Sequence, residues 1–379
     1  MISGSFRSKA DGSPVGKYLG ASVLVCFFLF LVLTSCKASR EHQAQVAVET
    51  ETEKQISYFR SKIAESERHY PSYAFLADAL LRRSRETGDH TLLPDVRKNA
   101  EKSLAIQPNY IALKTMAMLC NHTHRFADAI EWSHKTVNAS SEGLDRDSEL
   151  TAILVEAYLG MGENGKAAEL LERLASVGKK EDDFYSASAR GALLKAENNI
   201  DEAVMAFEAA REFAAMQGAN SRVVWSNVMA AGCLLDSGRS AEAEPYLKLA
   251  KAMDPKYTVL QIHEAEFLLA SDQPDEALKI YEQLLSISDD PEVHHRAFVI
   301  ARDLGDRTNA ANHFAAAEKG FQKILDSGEI FSLGPMSQLY CDEGTDLDKA
   351  LELALQNLEY KRDGEAQDAL RCVRERTGR

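Results

Sequence analysis

Four short constellations in this 379-residue chain carry residue types that could do chemistry. Gly160-Met161-Gly162-Glu163-Asn164-Gly165 has the literal glycine spacing of a dinucleotide-binding turn. That chemistry needs a strand before the turn and a helix opening on the third glycine, so that backbone amides face a pyrophosphate. Here LTAILVEAYLG precedes with helical spacing and GKAAELLERL follows as a second helix, so the segment reads as a turn between two helices. His122-Thr123-His124 and His294-His295 invite a metal, but each pair lacks a third ligand nearby in sequence, and both read as surface histidines. His263-Glu264 opens a zinc-protease pattern that fails at Phe267, where a second histidine is required. The sequence has no nucleophile elbow and no phosphate loop. The expectation is therefore a protein without catalytic residues, cofactor or metal.

The elements that would position any binding site are helical. Ala, Leu and Glu abound against 9 Pro and 21 Gly, and the β-branched, aromatic runs of strands are missing. A hydrophobic content of 45% with 27% charged residues excludes disorder over most of the length. The net charge is −14, and −16 once residues 1–35 with Arg7, Lys9, Lys17 and Asp11 are set aside. Such an acidic surface disfavours nucleic acid as a partner.

Residues 1–17 are basic, and Tyr18 to Ser35 is uncharged and mostly apolar, as in an export signal. The run ends in Leu33-Thr34-Ser35-Cys36, which resembles the lipobox of bacterial lipoproteins. The resemblance implies cleavage before Cys36, a diacylglycerol thioether on its sulfur and acylation of its new N-terminus, which together anchor stably. Lys37 stands where an Asp would imply inner-membrane retention, so the resemblance leans towards the outer membrane. Two other readings stay open: an uncleaved membrane helix, and an ordinary cut after Ala38. In all three the body is translocated, to a periplasmic or cell-surface face. Residues 36–54 then form a polar tether.

From residue 72 onward one pattern recurs: a small residue early in a helix, a large apolar one four later, and another apolar one three after that. It appears as Ala203, Phe207, Ala210; as Ala243, Leu247, Ala250; as Ala277, Tyr281, Leu284; and as Ala310, Phe314, Ala317. Weaker copies start at Val96, Ala129, Ala167 and Ala350, and the eight starts are separated by 33, 38, 36, 40, 34, 33 and 40 residues. Ala117, Gly191, Ala231 and Ala265 mark the preceding helix twelve residues earlier, and Gly162, Gly238 and Gly305 fall five residues before their markers, at the turn. This arrangement resembles the tetratricopeptide repeat, a pair of antiparallel helices in about 34 residues. The resemblance implies an all-α solenoid of about eight helix-turn-helix units over 72–363, behind a leading helix at 55–71 and closed by a helix within 364–379. Three departures interrupt the pattern: extra residues between the helices of unit 1 (RRSRETGDHTLLPD), and insertions near AMQGAN and LDSGEIF at the ends of units 4 and 7.

Cys120, Cys233, Cys341 and Cys372 fall on helices and read as small core hydrophobes. Cys341 and Cys372 lie on adjacent units and could approach, but a disulfide is not the expectation. The resemblance further implies that first helices line a concave groove. Its candidate residues, counted from the markers, are Lys114, Asn121, Glu156, Tyr185, Lys195, Trp225, Ile262, Glu266, His295 and Arg302. Tyr185 and Trp225 stand out, as exposed aromatics tend to dominate binding, although either could pack between units. The Lys/Asn/Arg constellation of repeats that clamp chaperone tail carboxylates is missing. The expected function is a membrane-tethered scaffold that holds a protein or peptide ligand in its groove. The alternative is an accessory, non-catalytic subunit of an envelope enzyme or of a polysaccharide or secretion complex.

Overall fold

The computed structural model describes residues 50–139, 147–176 and 183–378. The leader, the lipobox at Cys36 and all of the tether before residue 50 lie outside the described residues. Helix α1 (Glu51–Glu65) begins four residues before the expected start, inside the sequence assigned to the tether. It is helix because Glu51-Thr52-Glu53 favour a positive helix end, and because Ile56 is buried among α2 and α3 side chains.

Eight helix pairs follow. Units 1 and 2 are α2/α3 (Tyr70–Thr87, Leu93–Ile106) and α4/α5 (Tyr110–His122, Phe126–Ala139). Units 3 and 4 are α6/α7 (Ser148–Gly160, Asn164–Ser176) and α8/α9 (Phe184–Ala196, Ile200–Met216). Units 5 and 6 are α10/α11 (Asn220–Asp236, Ser240–Met253) and α12/α13 (Thr258–Ala270, Pro274–Leu285). Units 7 and 8 are α14/α15 (Pro291–Asp303, Arg307–Asp326) and α16/α17 (Leu333–Glu343, Leu347–Tyr360), and α18 (Gly364–Thr377) closes the array. No strand occurs among the described residues. The fold is an all-α solenoid.

The small-residue markers explain why the helices cross where they do. Val96, Ala129, Ala167, Ala203, Ala243, Ala277 and Ala350 are each 0% exposed, and Ala310 is 6%. At such a crossing only a small side chain lets two helix backbones approach, and the larger apolar residues one turn on fill the space beside it. Phe207, Leu247 and Tyr281 do this in units 4 to 6; each contributes roughly 1.5–3 kcal/mol of burial. The turns are in register as well. A left-handed residue stands between the helices of every unit: Gly88, His124, Gly162, Asn198, Gly238, Asp272, Gly305 and Gly344. His124, Asn198 and Asp272 take this conformation without being glycine, which is why the glycine pattern alone shows fewer turns than exist.

Several helix starts carry side-chain caps. Asn109, Asp147 and Asp290 accept from backbone amides at the N-termini of α4, α6 and α14. Asp183 and Ser186 form a reciprocal capping box at α8. The departures from the repeat resolve into structure. Unit 1's extra residues make a 3-10 turn at His90–Leu92. The other two lengthen α9 to 17 residues and α15 to 20, each ending at a left-handed glycine, Gly218 or Gly328.

Cys341 and Cys372 are joined in a disulfide, with Cα atoms 6.3 Å apart. This corrects the expectation that both are core thiols. The reason lies in α18, which packs against α16 as well as α17 and so brings Cys372 onto the first helix of unit 8. Cys120 and Cys233 are free and buried, and burial pushes both thiols up to about 11. Among the described residues no helix is long and apolar enough to cross a membrane.

Candidate partner-binding face

First helices of successive units lie side by side, as α2 against α4, α4 against α6, α6 against α8, α10 against α12 and α14 against α16. The polar residues expected to face the groove join these helices rung by rung. Lys114 pairs with Glu149. Asn121 donates to the Ile153 carbonyl at 2.8 Å and to Glu156 at 3.1 Å. Lys195 pairs with Asp236 at 2.7 Å. Arg296 reaches back to Glu266 at 2.5 Å, beside His263 at 2.6 Å from the same carboxylate. His295 bonds the Asp342 carboxylate at 2.8 Å, and Arg302 donates to the Asp342 carbonyl. Every rung runs from one unit to the next.

Electrostatics follow from these rungs. Burial alone would raise the Asp342 carboxyl, but the hydrogen bond and charge of His295, with help from Gln338 and Arg302, hold it below the ordinary value. Glu266 is held down against its burial by His263 and Arg296. Burial pushes the Tyr185 phenol well above its usual value, and the Glu149 charge adds to that.

Tyr185 and Trp225 are both half-buried. The Arg222 guanidinium donates to the Tyr185 hydroxyl at 2.6 Å and lies over the Tyr185 and Phe184 rings at 4.8 and 4.9 Å. Trp225 stands edge-on to Phe184 at 5.6 Å and to Phe207 at 5.8 Å. Its ring therefore fills the seam between units 4 and 5. Ile262 packs beside Ala265, Ala277 and Tyr281. The partners missed by the sequence reading are Glu149, Arg222, Asp236, Arg296 and Asp342. Charge complementarity at about one repeat's distance along the chain was the available signal.

Residues 227–296, from α10 into α14, match the family model for the tetratricopeptide repeat. That stretch carries the tetratricopeptide repeat. No curated protein matches it. Solved structures resemble it at low identity. The human IFIT1 dimer with m7Gppp-AAAA is 16% identical, with 84% of this chain and 75% of that one covered at a TM-score of 0.44. A tetratricopeptide repeat protein from Parabacteroides merdae is 14% identical, with 68% and 98% covered at 0.43. Pseudomonas aeruginosa pilF is 17% identical, with 58% and 95% covered at 0.38.

The three glycines of the dinucleotide-like segment have separate duties at the turn between the helices of unit 3. A Cβ on Gly160 would lie 2.4 Å from the Phe126 ring, so this glycine lets α6 close on unit 2. Gly162 takes φ 70° at the turn, and Gly165 faces open space at the start of α7. Helix α6 runs directly into them, in place of a strand.

The histidine pairs are not on the free surface, which corrects the sequence reading. His294 and His295 are 14% and 13% exposed, with His294 bonded to His313 at 2.9 Å and to Asp289 at 2.8 Å. His122 and His124 are also enclosed. Burial lowers them to about 3 and about 4, with positive neighbours adding to the effect. Among the described residues no three His, Cys, Asp or Glu side chains are grouped to hold a metal ion.

Proposed function

We propose that this protein is a lipid-tethered scaffold of a bacterial envelope, which holds a protein or peptide partner against its ladder of first helices and catalyses nothing itself. The ladder carries the reading. Its rungs cross the boundaries between units 2 and 3, 4 and 5, 6 and 7, and 7 and 8, with both signs of charge exposed at Lys195, Asp236 and Arg296 and a half-buried aromatic at Tyr185. An extended chain laid along it would meet the exposed members of these rungs on successive units, as stacked repeats present one surface per repeat. The net charge of −16 after removal of residues 1–35 argues against nucleic acid on that face.

The tether rests on Leu33-Thr34-Ser35-Cys36. The Cys341–Cys372 bond supports export of the body, since structural disulfides persist in oxidising compartments and are rare in the cytosol. Lys37 after the cysteine leans the lipobox resemblance towards the outer membrane.

Metabolic labelling with an alkyne fatty acid tests the anchor. The wild type should take up label and fractionate with membranes, and Cys36→Ser should lose the label. An unlabelled wild type would remove the lipid from the account and leave the ladder untouched.

A further inference from the structure

Two of the departures from the repeat meet across the fold. The unit 1 insertion carries His90, and the unit 7 insertion carries Gly328, Glu329 and Phe331. The Phe331 ring is 6% exposed and packs with the Leu80, Leu93, Val96 and Met116 cluster of units 1 and 2. Its centroid lies 5.1 Å from His90 and 6.4 Å from His124, and His90 lies 5.6 Å from His122. Around it, Glu329 stands 3.6 Å from Arg97 and 3.9 Å from Arg125, and Arg125 donates to the Gly328 carbonyl at 2.7 Å. A second junction lies beside the first: the Arg362 amide, after α17, donates to the Gly160 carbonyl at 2.7 Å, with Gly162 against the Arg362 carbonyl. The turns of units 1 to 3 thus seat on the turns that end units 7 and 8.

We propose that this turn-to-turn seam is a reversible clasp, held by Phe331 among His90, His122 and His124 and by Glu329 between Arg97 and Arg125, which opens on acidification and parts the first units from the last. The seam is made largely by residues of turns. It also leaves buried polar atoms without a hydrogen bond: His90 Nδ1, His122 Nε2, His124 Nδ1, Arg125 Nε, Glu329 Oε2 and Ser332 Oγ. Unmade bonds of this kind weaken an interface compared with a fully paired one.

The direction with pH follows from what faces each ring. His90 faces Asp89 on its own turn, Asp290 before α14 and His122 on α4. His122 faces Arg85 on α2 with His90 and His124. His124 faces Lys361 after α17, Glu365 on α18 and His90. Burial lowers all three against Asp290, Asp89 and Glu365, so the closed seam holds them neutral. Once open, each ring returns towards its ordinary value of about 6.5. The open state then binds more protons below that pH, and closure weakens progressively as pH falls from about 6.5 towards about 4. The clasp is independent of what the ladder of first helices binds.

Spin labels at Ala127→Cys and Gln356→Cys, one on each side of the seam, test this in the full chain. At about pH 7.5 a single short distance is expected, and by about pH 4.5 a second population longer by roughly a helix diameter, about 10 Å, with helix content unchanged. Phe331→Ala with Glu329→Gln should show the longer distance already at about pH 7.5. A His90→Asn/His122→Asn/His124→Asn variant should keep the short distance at both pH values; asparagine suits the left-handed turn, because Asn198 occupies it in unit 4. An unchanged distance on acidification, the same distances in the Phe331 variant as in the wild type, or separation only together with loss of helix would overturn the proposal.

Discussion

Gly191 and Phe207 meet so closely that a Cβ on the glycine would lie 2.9 Å from the ring, inside any ordinary contact. The two residues belong to the two helices of unit 4, and their approach sets the crossing of α8 and α9. The large residue after the marker fits because the facing position on the first helix has no side chain.

Adding atoms to that crossing should destabilise the array. Gly191→Ala is expected to cost about 1–3 kcal/mol as Phe207 gives way. Ala203→Arg, at the fully buried marker of the same crossing, should cost more, because it also buries a charge. Met205→Arg, two residues on and 66% exposed, should change little. Thermal melts by circular dichroism check the order; equal melting temperatures for Ala203→Arg and Met205→Arg would show the register to be wrong.

The Arg222 guanidinium ties unit 5 to the aromatic pair of unit 4. Arg222→Ala removes a hydrogen bond and a cation–π contact, for an expected loss of about 1–3 kcal/mol. Urea unfolding followed by Trp225 fluorescence in a Trp132→Phe background reads it. A midpoint equal to the parent's would mean that the contact carries no stability.

The four cysteines after residue 50 should react in three distinct ways. Native protein is expected to resist alkylation, since Cys120 and Cys233 are buried with thiols pushed up to about 11. Unfolding without reductant should expose two thiols, and unfolding with reductant four. The bond closes a loop of 31 residues, so Cys372→Ser should lower stability by roughly 3–4 kcal/mol on the chain-entropy account. Four thiols titrating without reductant would contradict the pairing.

The repeat itself was legible because it is local: Ala203, Phe207 and Ala210 share one helical face, and that spacing survives in the sequence whatever the partner unit does. Glycine marked some turns, and His124, Asn198 and Asp272 hid others, since side chains that tolerate a left-handed backbone leave no glycine to count. The insertions were visible as irregularities, but the contact between Arg125 and Gly328 spans 203 residues. Nothing local encodes that return, so His122 and His124 read as surface residues when they sit at a seam. The disulfide was missed for a related reason: Cys372 lies on a closing helix that follows no repeat, so its face towards α16 could not be counted from a marker. The groove candidates lie on first helices. What spacing could not reveal is that most of their polar groups are already joined to the neighbouring unit.

The account stands or falls on whether a partner lies on the ladder of first helices. A photo-crosslinking amino acid placed at Lys195, on a first helix, and at Met205, on the exposed side of a second, would decide it in living cells. The account predicts a discrete protein adduct from Lys195, with none from Met205. An adduct that is an envelope enzyme would mark the chain as its accessory subunit. Adducts from Met205 alone, or from neither position, would contradict partner binding on this face.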